Sequence, residues 1–408
     1  MPLYFGKPIQ FNETSTFIID TTFSELIVQA HGCGEDCSFP VYKASESTVS
    51  MVKQRDTVHS ASEVVGTLTG TIVRDQVCLD EYDACIKQLD FYTVGKEWET
   101  YNVLGLAPKS AYKAPDFIRE LDARGLISEQ RATIEFNPIA FRALTSRVVF
   151  GPIKNGMAVN NEWHSHELLS SFPEGVDTVQ MLLKVGKMSY DGTVLRDNLT
   201  GGAILSSTEY NLLILSEEQR DVFFGWAREM EKISGVSCTE VGESPERFGY
   251  CETWSPCEEI WPHMKSLDIE VDGVVYSLPP EAIASPNRIN MEQCHPRIVF
   301  QESQATTVIG VPFFEQFLVS YDYLNGRLDI GLNPFAFEKA AIRRKEDPKP
   351  EPIDPSIEPQ PVPTPQPVDP IPQPEPHPIP GPTPTPMEPE EQPVIDPSGD
   401  TDKPEPEE

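Results

Sequence analysis

The chain has 408 residues and a formal net charge of −32, with 64 acidic residues against 32 basic ones. Nucleic acids and anionic membranes bind basic surfaces, so this charge argues against both as partners. No run of about 18 apolar residues occurs, so the sequence predicts no membrane-spanning helix.

The first 150 residues are predicted to form short strands, because apolar and β-branched runs alternate with turn residues. These strands are expected at 4–6, 17–19, 26–28, 64–77, 101–106, 132–136 and 147–150. One helix interrupts them. Pro115 suits its first turn, Phe117, Ile118 and Leu121 fall on one face, and Gly125 is a stop signal.

The second half repeats this order. A helix is predicted to begin with Ser216 as its N-cap and Gln219 three residues later, followed by an apolar face that includes Trp226. Strands are expected at 179–184, 202–206, 266–271, 274–278, 307–311, 317–321 and 327–331. Two β-rich halves with one or two helices each suggest a duplicated architecture.

Eight cysteines and two Asn-x-Thr sequons favour an oxidising compartment and N-glycosylation at Asn12 and Asn198. Neighbouring cysteines are predicted to pair as Cys33–Cys37, Cys78–Cys85, Cys238–Cys251 and Cys257–Cys294. The first pair is alternatively half of a metal site, although no second pair has zinc spacing. No signal peptide is visible, so we expect the mature part of a secreted or lumenal protein.

From about Glu346 onward proline recurs every two or three residues, and apolar residues are too sparse to build a core. This proline-rich segment also holds 16 acidic residues against Lys349 and Lys403. Such composition predicts a disordered tail over 341–408 with extended polyproline II character. The tail is interpreted as a spacer, or alternatively as a Pro-x-x-Pro recognition segment.

Two further clusters are candidate cation sites. His164 and His166 would share one strand face about 6–7 Å apart, a spacing that binds zinc if a third ligand converges. The alternative is that both are hydrogen-bonded structural residues. The acidic turn 80–83 would bind calcium weakly or be solvated. We predict neither a metal nor another cofactor.

Four stretches, in this order and spacing, together resemble the pepsin-like aspartic proteases (peptidase family A1). They are Phe-Ile-Ile-Asp-Thr-Thr and its continuation at 17–28, Asn-Val-Leu-Gly-Leu with the helix that follows at 102–128, Gly-Gly-Ala-Ile-Leu-Ser-Ser-Thr at 201–208, and the block 307–331. The resemblance covers residues 1 to about 337. It implies an all-β, bilobal fold, with lobes at 1–152 and 153–340 facing a cleft to which each contributes one Asp.

The first-lobe loop departs from the family pattern. Asp20 and Thr21 match its Asp-Thr, but Thr22 stands at the Gly position and Phe23 at the hydroxyl position. Asp20 is therefore interpreted either as a single carboxylate that binds a cation or an amine, or as an inherited polar residue satisfied by the loop backbone.

The second loop has lost its acid. Ser206 stands at the Asp position, Ser207 at the Thr position and Thr208 at the Gly position. The hydroxyls of Thr21 and Ser207 correspond to those that, in the family, hydrogen-bond across the lobe interface. In the flap, Gly66 and Gly70 match the pattern.

The resemblance therefore predicts a non-proteolytic homologue, because the family's chemistry needs two carboxylates that share a proton. Acid–base assistance alone is worth roughly 10² to 10⁴ in rate. The expected role is a secreted or surface binding or structural protein, with a peptide, protein or carbohydrate ligand. One alternative is an active aspartic endopeptidase that pairs Asp20 with Glu63, which stands at the flap Tyr position. Another is a surface-coat protein displayed on the proline-rich stalk.

Overall fold

The fold was determined from a computed structural model of the chain. The structure describes residues 2–5, 15–29, 42, 47, 50–59, 67–78, 85–94, 102–109, 113–137, 146–171, 180–199, 202–286, 293–304 and 306–344. The chain divides into two units, Met1–Asp347 and Pro348–Glu408. The second unit, which holds most of the predicted tail, lies outside the described residues. Within those residues, every helix is too short or too polar to cross a membrane.

The first half of the chain forms nine strands and one helix among its described residues. The strands are β1 Pro2–Phe5, β2 Ser15–Asp20, β3 Leu26–Gln29, β4 Met51–His59, β5 Thr67–Cys78, β6 Cys85–Val94, β7 Asn102–Gly105, β8 Arg131–Glu135 and β9 Arg147–Phe150. Strands β1 to β7 form one sheet in the order β1-β2-β7-β3-β6-β5-β4. The helix, α1, spans Asp116–Ala123 and buries Phe117, Ile118 and Leu121.

Among its described residues, the second half contributes seventeen strands and four helices. The strands are β10 Trp163–Ser171, β11 Gln180–Leu183, β12 Val185–Tyr190, β13 Thr193–Asp197, β14 Ala203–Leu205, β15 Leu213–Leu215, β16 Val236–Val241, β17 Phe248–Thr253, β18 Leu267–Val271, β19 Val274–Leu278, β20 Ala284–Pro286, β21 Cys294–Pro296, β22 Ile298–Gln301, β23 Thr307–Ile309, β24 Phe317–Asp322, β25 Arg327–Leu332 and β26 Ala341–Arg344. The helices are α2 Arg220–Met230, α3 Cys257–Ile260, α4 Pro280–Ile283 and α5 Val311–Gln316. Strand β26 pairs with β19, so ordered structure continues past 341, where the tail was predicted to begin.

One large sheet joins the two halves. Its order is β16-β17-β22-β15-β23-β14-β11-β10-β25-β24-β8-β9, and β8 and β9 come from the first half. Strand β8 pairs antiparallel with β24 from Val319↔Ile134 to Asp322↔Arg131. Arg131 donates to both Asp322 and Asp329, so charge-assisted hydrogen bonds reinforce the junction.

The same strand arrangement occurs twice, which confirms the predicted duplication. In the first lobe β2 runs parallel to β7, and β3 runs antiparallel to β7 and parallel to β6. In the second lobe β14 runs parallel to β23, and β15 runs antiparallel to β23 and parallel to β22. Each lobe therefore ends one buried strand, β2 or β14, at a loop in the equivalent place. This is the bilobal all-β fold that the resemblance implied.

The two helix predictions had different outcomes. Gly125 follows α1 with a φ of +66°, the left-handed conformation expected of a glycine stop. Pro115 occupies the N-cap position instead of the first turn. Ser216 occupies the N-cap position of a 3₁₀ turn, Glu217–Gln219, that leads directly into α2, but its side chain makes no capping hydrogen bond.

Three of the predicted disulfides are confirmed: Cys78–Cys85, Cys238–Cys251 and Cys257–Cys294. The first two disulfides each link a pair of neighbouring antiparallel strands, β5 with β6 and β16 with β17. The third closes a longer loop between α3 and β21. Cys33 and Cys37 lie outside the described residues.

Candidate functional site

Strand β2 delivers Asp20 to the interior. The carboxylate is 3 % exposed and lies at the carboxyl end of the strand, in register with Gly105 of β7. The backbone N–H and the hydroxyl of Thr22 each donate to Asp20 Oδ1 at 2.6 Å. The backbone N–H of Phe23 and the Thr208 hydroxyl also hydrogen-bond to this carboxyl. The threonine at the family's Gly position thus supplies a hydroxyl to the remaining acid.

Burial raises the pKa of the Asp20 carboxyl above its ordinary value, because a buried charge loses its hydration. Hydrogen bonds from Thr22, Phe23 and Thr208 oppose this shift, and burial has the larger effect. The Asp20 carboxyl is therefore harder to ionise than the carboxyl of an exposed aspartate. All the hydrogen bonds that the described residues give this carboxyl come from hydroxyls and amides.

Phe23, at the family's hydroxyl position, turns its ring into the first lobe. The residue is fully buried and packs with Ile27, Val94 and Val103, with half-buried Tyr92 against the cluster. An aromatic ring in such a cluster contributes packing and has no proton to exchange. The substitution therefore replaces a polar residue of the loop with a core residue.

The second loop presents the hydroxyl of Ser206, the residue that the resemblance sets at the position of the second acid. Ser206 is 2 % exposed, and its backbone N–H donates to the carbonyl of Ile309 at 2.8 Å. Its Oγ lies 3.3 Å from Thr208 Oγ1 and accepts a hydrogen bond from the Glu209 backbone N–H at 3.3 Å. A serine hydroxyl does not ionise in the pH range in which carboxyls do, so Ser206 cannot share a proton as a second carboxylate would.

Thr21 and Ser207 join the two loops. The backbone N–H of Thr21 donates to Ser207 Oγ at 3.1 Å, and that of Ser207 donates to Thr21 Oγ1 at 3.0 Å. Each hydroxyl in turn donates to a carbonyl of the other lobe: Thr21 to Leu205 and Ser207 to Ile19, both at 2.7 Å. The resemblance predicted this contact, and the structure places it between the two buried loops.

Two glycines lie directly behind the loops. A Cβ on Gly105 would stand 2.5 Å from the carbonyl oxygens of Glu25 and Phe23. A Cβ on Gly310 would collide with the carbonyl of Asn211 and lie 2.5 Å from that of Glu209. Real Cβ atoms do not approach backbone so closely, so each strand–loop contact requires glycine. Packing against these glycines therefore helps to fix the backbone of both loops.

The second loop also contains an acid that the sequence analysis missed. Glu209 follows Thr208, and burial raises the pKa of its carboxyl. Its Oε1 accepts hydrogen bonds from the backbone N–H and the side-chain Nδ2 of Asn211, at 2.9 and 3.0 Å. The only sequence signal was an acidic residue inside an otherwise apolar and hydroxyl-rich segment. The contacts show a carboxyl that caps its own loop.

Tyr210 is held against the second lobe. Its hydroxyl lies 3.1 Å from Ser285 Oγ, its ring stacks on His295, and the Arg297 guanidinium lies 4.5 Å from the ring centroid. Arg297 is 1 % exposed and pairs with buried Glu315 at 3.4 Å. This set of contacts anchors the loop that carries Ser206.

His164 and His166, the candidate zinc pair, each lie close to polar side chains of neighbouring residues. His166 Nε2 lies 2.5 Å from the hydroxyl of Tyr276, and Nδ1 lies 3.2 Å from Asp272 Oδ2. His164 Nε2 lies 3.3 Å from Glu162. Both imidazoles are buried, and burial lowers their pKa values. Within the described ranges, no group of three or more His, Cys, Asp or Glu side chains could hold a metal ion.

The remaining predicted positions are separated from this site or lie outside the described part. Gly70 is buried in β5 opposite Asp56. Asn198 is exposed, with a φ of +63°. Residues that lie outside the described ranges are Asn12, Glu63, Gly66, the acidic turn 80–83 and the tail after Arg344.

Two comparisons with known proteins bear on these loops. A family model described as eukaryotic aspartyl protease matches residues 3–333, which include both loops and most of the strands above. Comparison with curated proteins gives no match.

Proposed function

The chain belongs to the eukaryotic aspartyl protease family, and from this premise we propose that it is a non-proteolytic member that serves as a secreted or surface binding protein. One observation carries the proposal. The carboxyl of Asp20 is contacted by Thr22, Phe23 and Thr208, and the residue at the second acid position is Ser206.

The chemistry explains why this observation matters. Peptide hydrolysis by this family requires one ionised carboxylate to activate water and one protonated carboxyl to polarise the carbonyl. A single buried acid cannot hold both states at once. Among the described residues, burial and hydrogen bonds from Thr22, Phe23 and Thr208 act on the pKa of Asp20, and none of them supplies the neighbouring charge that keeps a dyad at one shared proton. Ser206 supplies a hydrogen bond but no base.

A binding role fits the parts of the site that remain. The link between Thr21 and Ser207 still holds the loops together, and Phe23 packs into the lobe core. The surface that faces the loops is therefore maintained by a rigid framework, on which a peptide, protein or carbohydrate can be recognised. Three disulfides support an oxidising, secreted or lumenal location for this protein.

Glu209 favours one alternative, an endopeptidase with an atypical second acid. It is largely buried, its pKa is raised, and its backbone N–H contacts Ser206. A protonated glutamic acid on this loop would be the partner that Asp20 otherwise lacks. The hydrogen bonds from Asn211 to Glu209 Oε1 oppose this role, because they hold the carboxyl to its own loop.

The test is peptide cleavage by the full chain between pH 2 and pH 6, with denatured globin and a quenched fluorescent peptide library as substrates. We expect no cleavage above background, no effect of pepstatin, and the same result for D20A, E209Q and the exposed-acid control E258Q. Cleavage that D20A abolishes and E258Q leaves intact would overturn the proposal. If E209Q also abolished that cleavage, Glu209 would be established as the second acid.

A further inference from the structure

A groove of about 560 Å³ lies on the second lobe, away from the two loops. Its walls come from the turn at Asp191, the 3₁₀ segment around Trp261, and strands β18, β19 and β26. A second groove of about 670 Å³ borders it, since Asp191 and Lys265 line both; the two are called the double groove below. None of the residues of the Asp20 and Ser206 loops lines either groove.

The first groove is unusually rich in cations for this chain. Acids outnumber bases by two to one over the sequence, yet Lys265, Lys339 and Arg343 face the groove against two acids, Asp191 and Asp268. Arg343 pairs with Asp268 at 3.2 Å. Lys265 and Lys339 are exposed and have no ion-pair partner in the part of the chain that the structure describes. Two ammonium groups are thus available to an anion.

An aromatic wall lies beside these cations. Trp261 is half-buried, and its indole N–H donates to the carbonyl of Ala284 at 2.9 Å, which fixes the orientation of the ring. Hydroxyls of Ser266 and Ser277 also line the groove. An indole face packs well against the C–H face of a sugar ring, since it buries apolar area while leaving hydroxyls free to hydrogen-bond.

The second groove differs in charge. Its lining includes three acids, Asp191, Glu229 and Glu259, against two lysines, Lys232 and Lys265, and Glu229 is paired with Lys232 at 2.6 Å. Carboxylates accept hydrogen bonds from sugar hydroxyls but repel further anions. The two grooves together therefore suit a ligand with an acidic group at one end and neutral, hydroxyl-rich units at the other.

We propose that this double groove binds an oligosaccharide that carries one acidic sugar unit. Lys265 and Lys339 contact its carboxylate or sulfate, Trp261 stacks on the adjoining ring, and the second groove accepts hydrogen bonds from the neutral units. The proposal concerns a surface outside the Asp20 site, so it holds whether or not the chain is proteolytic.

The test uses three probes with the same neutral core: 3′-sialyllactose, 3′-sulfolactose and lactose. Binding to the full chain is followed by the indole N–H signals of its five tryptophans in ¹⁵N NMR, with W261F assigning the groove signal. We expect both acidic probes to shift the Trp261 signal, and lactose to bind at least tenfold more weakly. Tighter binding of 3′-sialyllactose would indicate a carboxylate ligand, and tighter binding of 3′-sulfolactose would indicate a sulfate ligand.

Matched variants locate the contact. K265E/K339E should weaken binding of the acidic probes at least tenfold, whereas K154E, which reverses an exposed lysine elsewhere, should not. In calorimetric titrations, which do not need the Trp261 signal, W261F should weaken binding several-fold, and W254F, at a tryptophan that is 75 % exposed and outside the grooves, should not. Unfolding midpoints confirm that each variant folds. Equal affinity for lactose, no binding of either acidic probe, or unchanged binding by K265E/K339E would each refute the proposal.

Discussion

Thr21 and Ser207 exchange backbone-to-hydroxyl hydrogen bonds across the two lobes, 186 residues apart in sequence. Replacing Thr21 with valine would leave the buried N–H of Ser207 without an acceptor. Such a loss costs about 1–3 kcal/mol. We expect T21V and S207A each to lower the free energy of unfolding by that amount in urea titrations.

Conservative variants provide the control for this prediction. T21S and S207T keep the hydroxyls and should remain within about 0.5 kcal/mol of the wild type, as should T193V at an exposed threonine. If T21V were as stable as T21S, the hydrogen bonds between the loops would not contribute to stability.

The carboxyl of Asp20 should make stability fall as pH rises. Burial raises its folded-state pKa above the ordinary value of 3.8, so the folded state binds the proton more tightly than the unfolded state. The resulting stabilisation is present below pH 3.8 and is lost as pH rises through the folded-state pKa. D20N should therefore match the wild type near pH 3 and exceed its unfolding midpoint at pH 7.

An exposed acid tests whether this effect is specific. E258Q should show no such divergence between pH 3 and pH 7. A D20N variant that is less stable than the wild type at pH 7 would show that ionised Asp20 is favourably solvated by the hydroxyls of Thr22 and Thr208.

The imidazole of His166 should make stability fall as pH falls, which is the opposite pH dependence to that of Asp20. Burial lowers its folded-state pKa below the ordinary value of 6.5, although Asp272 opposes the shift. The unfolded state then binds the proton more readily, so stability is present above pH 6.5 and is lost as pH falls through the folded-state pKa. H166Q retains a polar group for the Tyr276 hydroxyl and should reduce the stability lost between pH 7.5 and pH 5.

The matched substitution for this prediction is H263Q, since His263 is exposed. Its stability should follow the wild-type curve over the same pH range. Burial also lowers the pKa values of His164 and His295. If H166Q and the wild type gave identical curves, these two histidines would account for the loss of stability at acidic pH.

The disulfides should contribute different amounts to the free energy of unfolding. Cys257–Cys294 spans 37 residues, whereas Cys78–Cys85 spans 7. The chain-entropy model assigns about 3.8 kcal/mol to the longer loop and about 2.4 kcal/mol to the shorter one. Thermal unfolding of C257A/C294A and C78A/C85A should give the larger loss for the first. The reverse order would indicate that strain or residual unfolded structure outweighs loop length.

Local sequence signals predicted much of the fold. Apolar runs that end in turn residues located β2, β7, β14 and β23, because strands buried on both faces read as continuous apolar runs. Strand β6, with sequence CIKQLDFYTV, escaped prediction because buried and exposed residues mix along it. Edge strand β16 also escaped prediction, because buried and exposed residues alternate along it without a continuous apolar run.

The site was predictable only where its chemistry is local. Asp20, Thr22 and Ser206 stand within short motifs, so the match at Asp20 and the departures at Thr22 and Ser206 could be predicted directly from the sequence. Glu209 was missed because its partner, Asn211, forms no recognised motif. The contact between His166 and Tyr276 spans 110 residues, and strand spacing alone indicated only that two imidazoles share a face.

The glycines behind the two loops affect how this sequence can diverge. Any side chain at Gly105 or Gly310 would strike the backbone of the loop in front of it. Sequences that diverge from this chain should therefore keep both glycines, because a side chain at either position would displace the loop backbone. The pair of glycines should then identify a relative of this chain even where the polar residues of the loops differ.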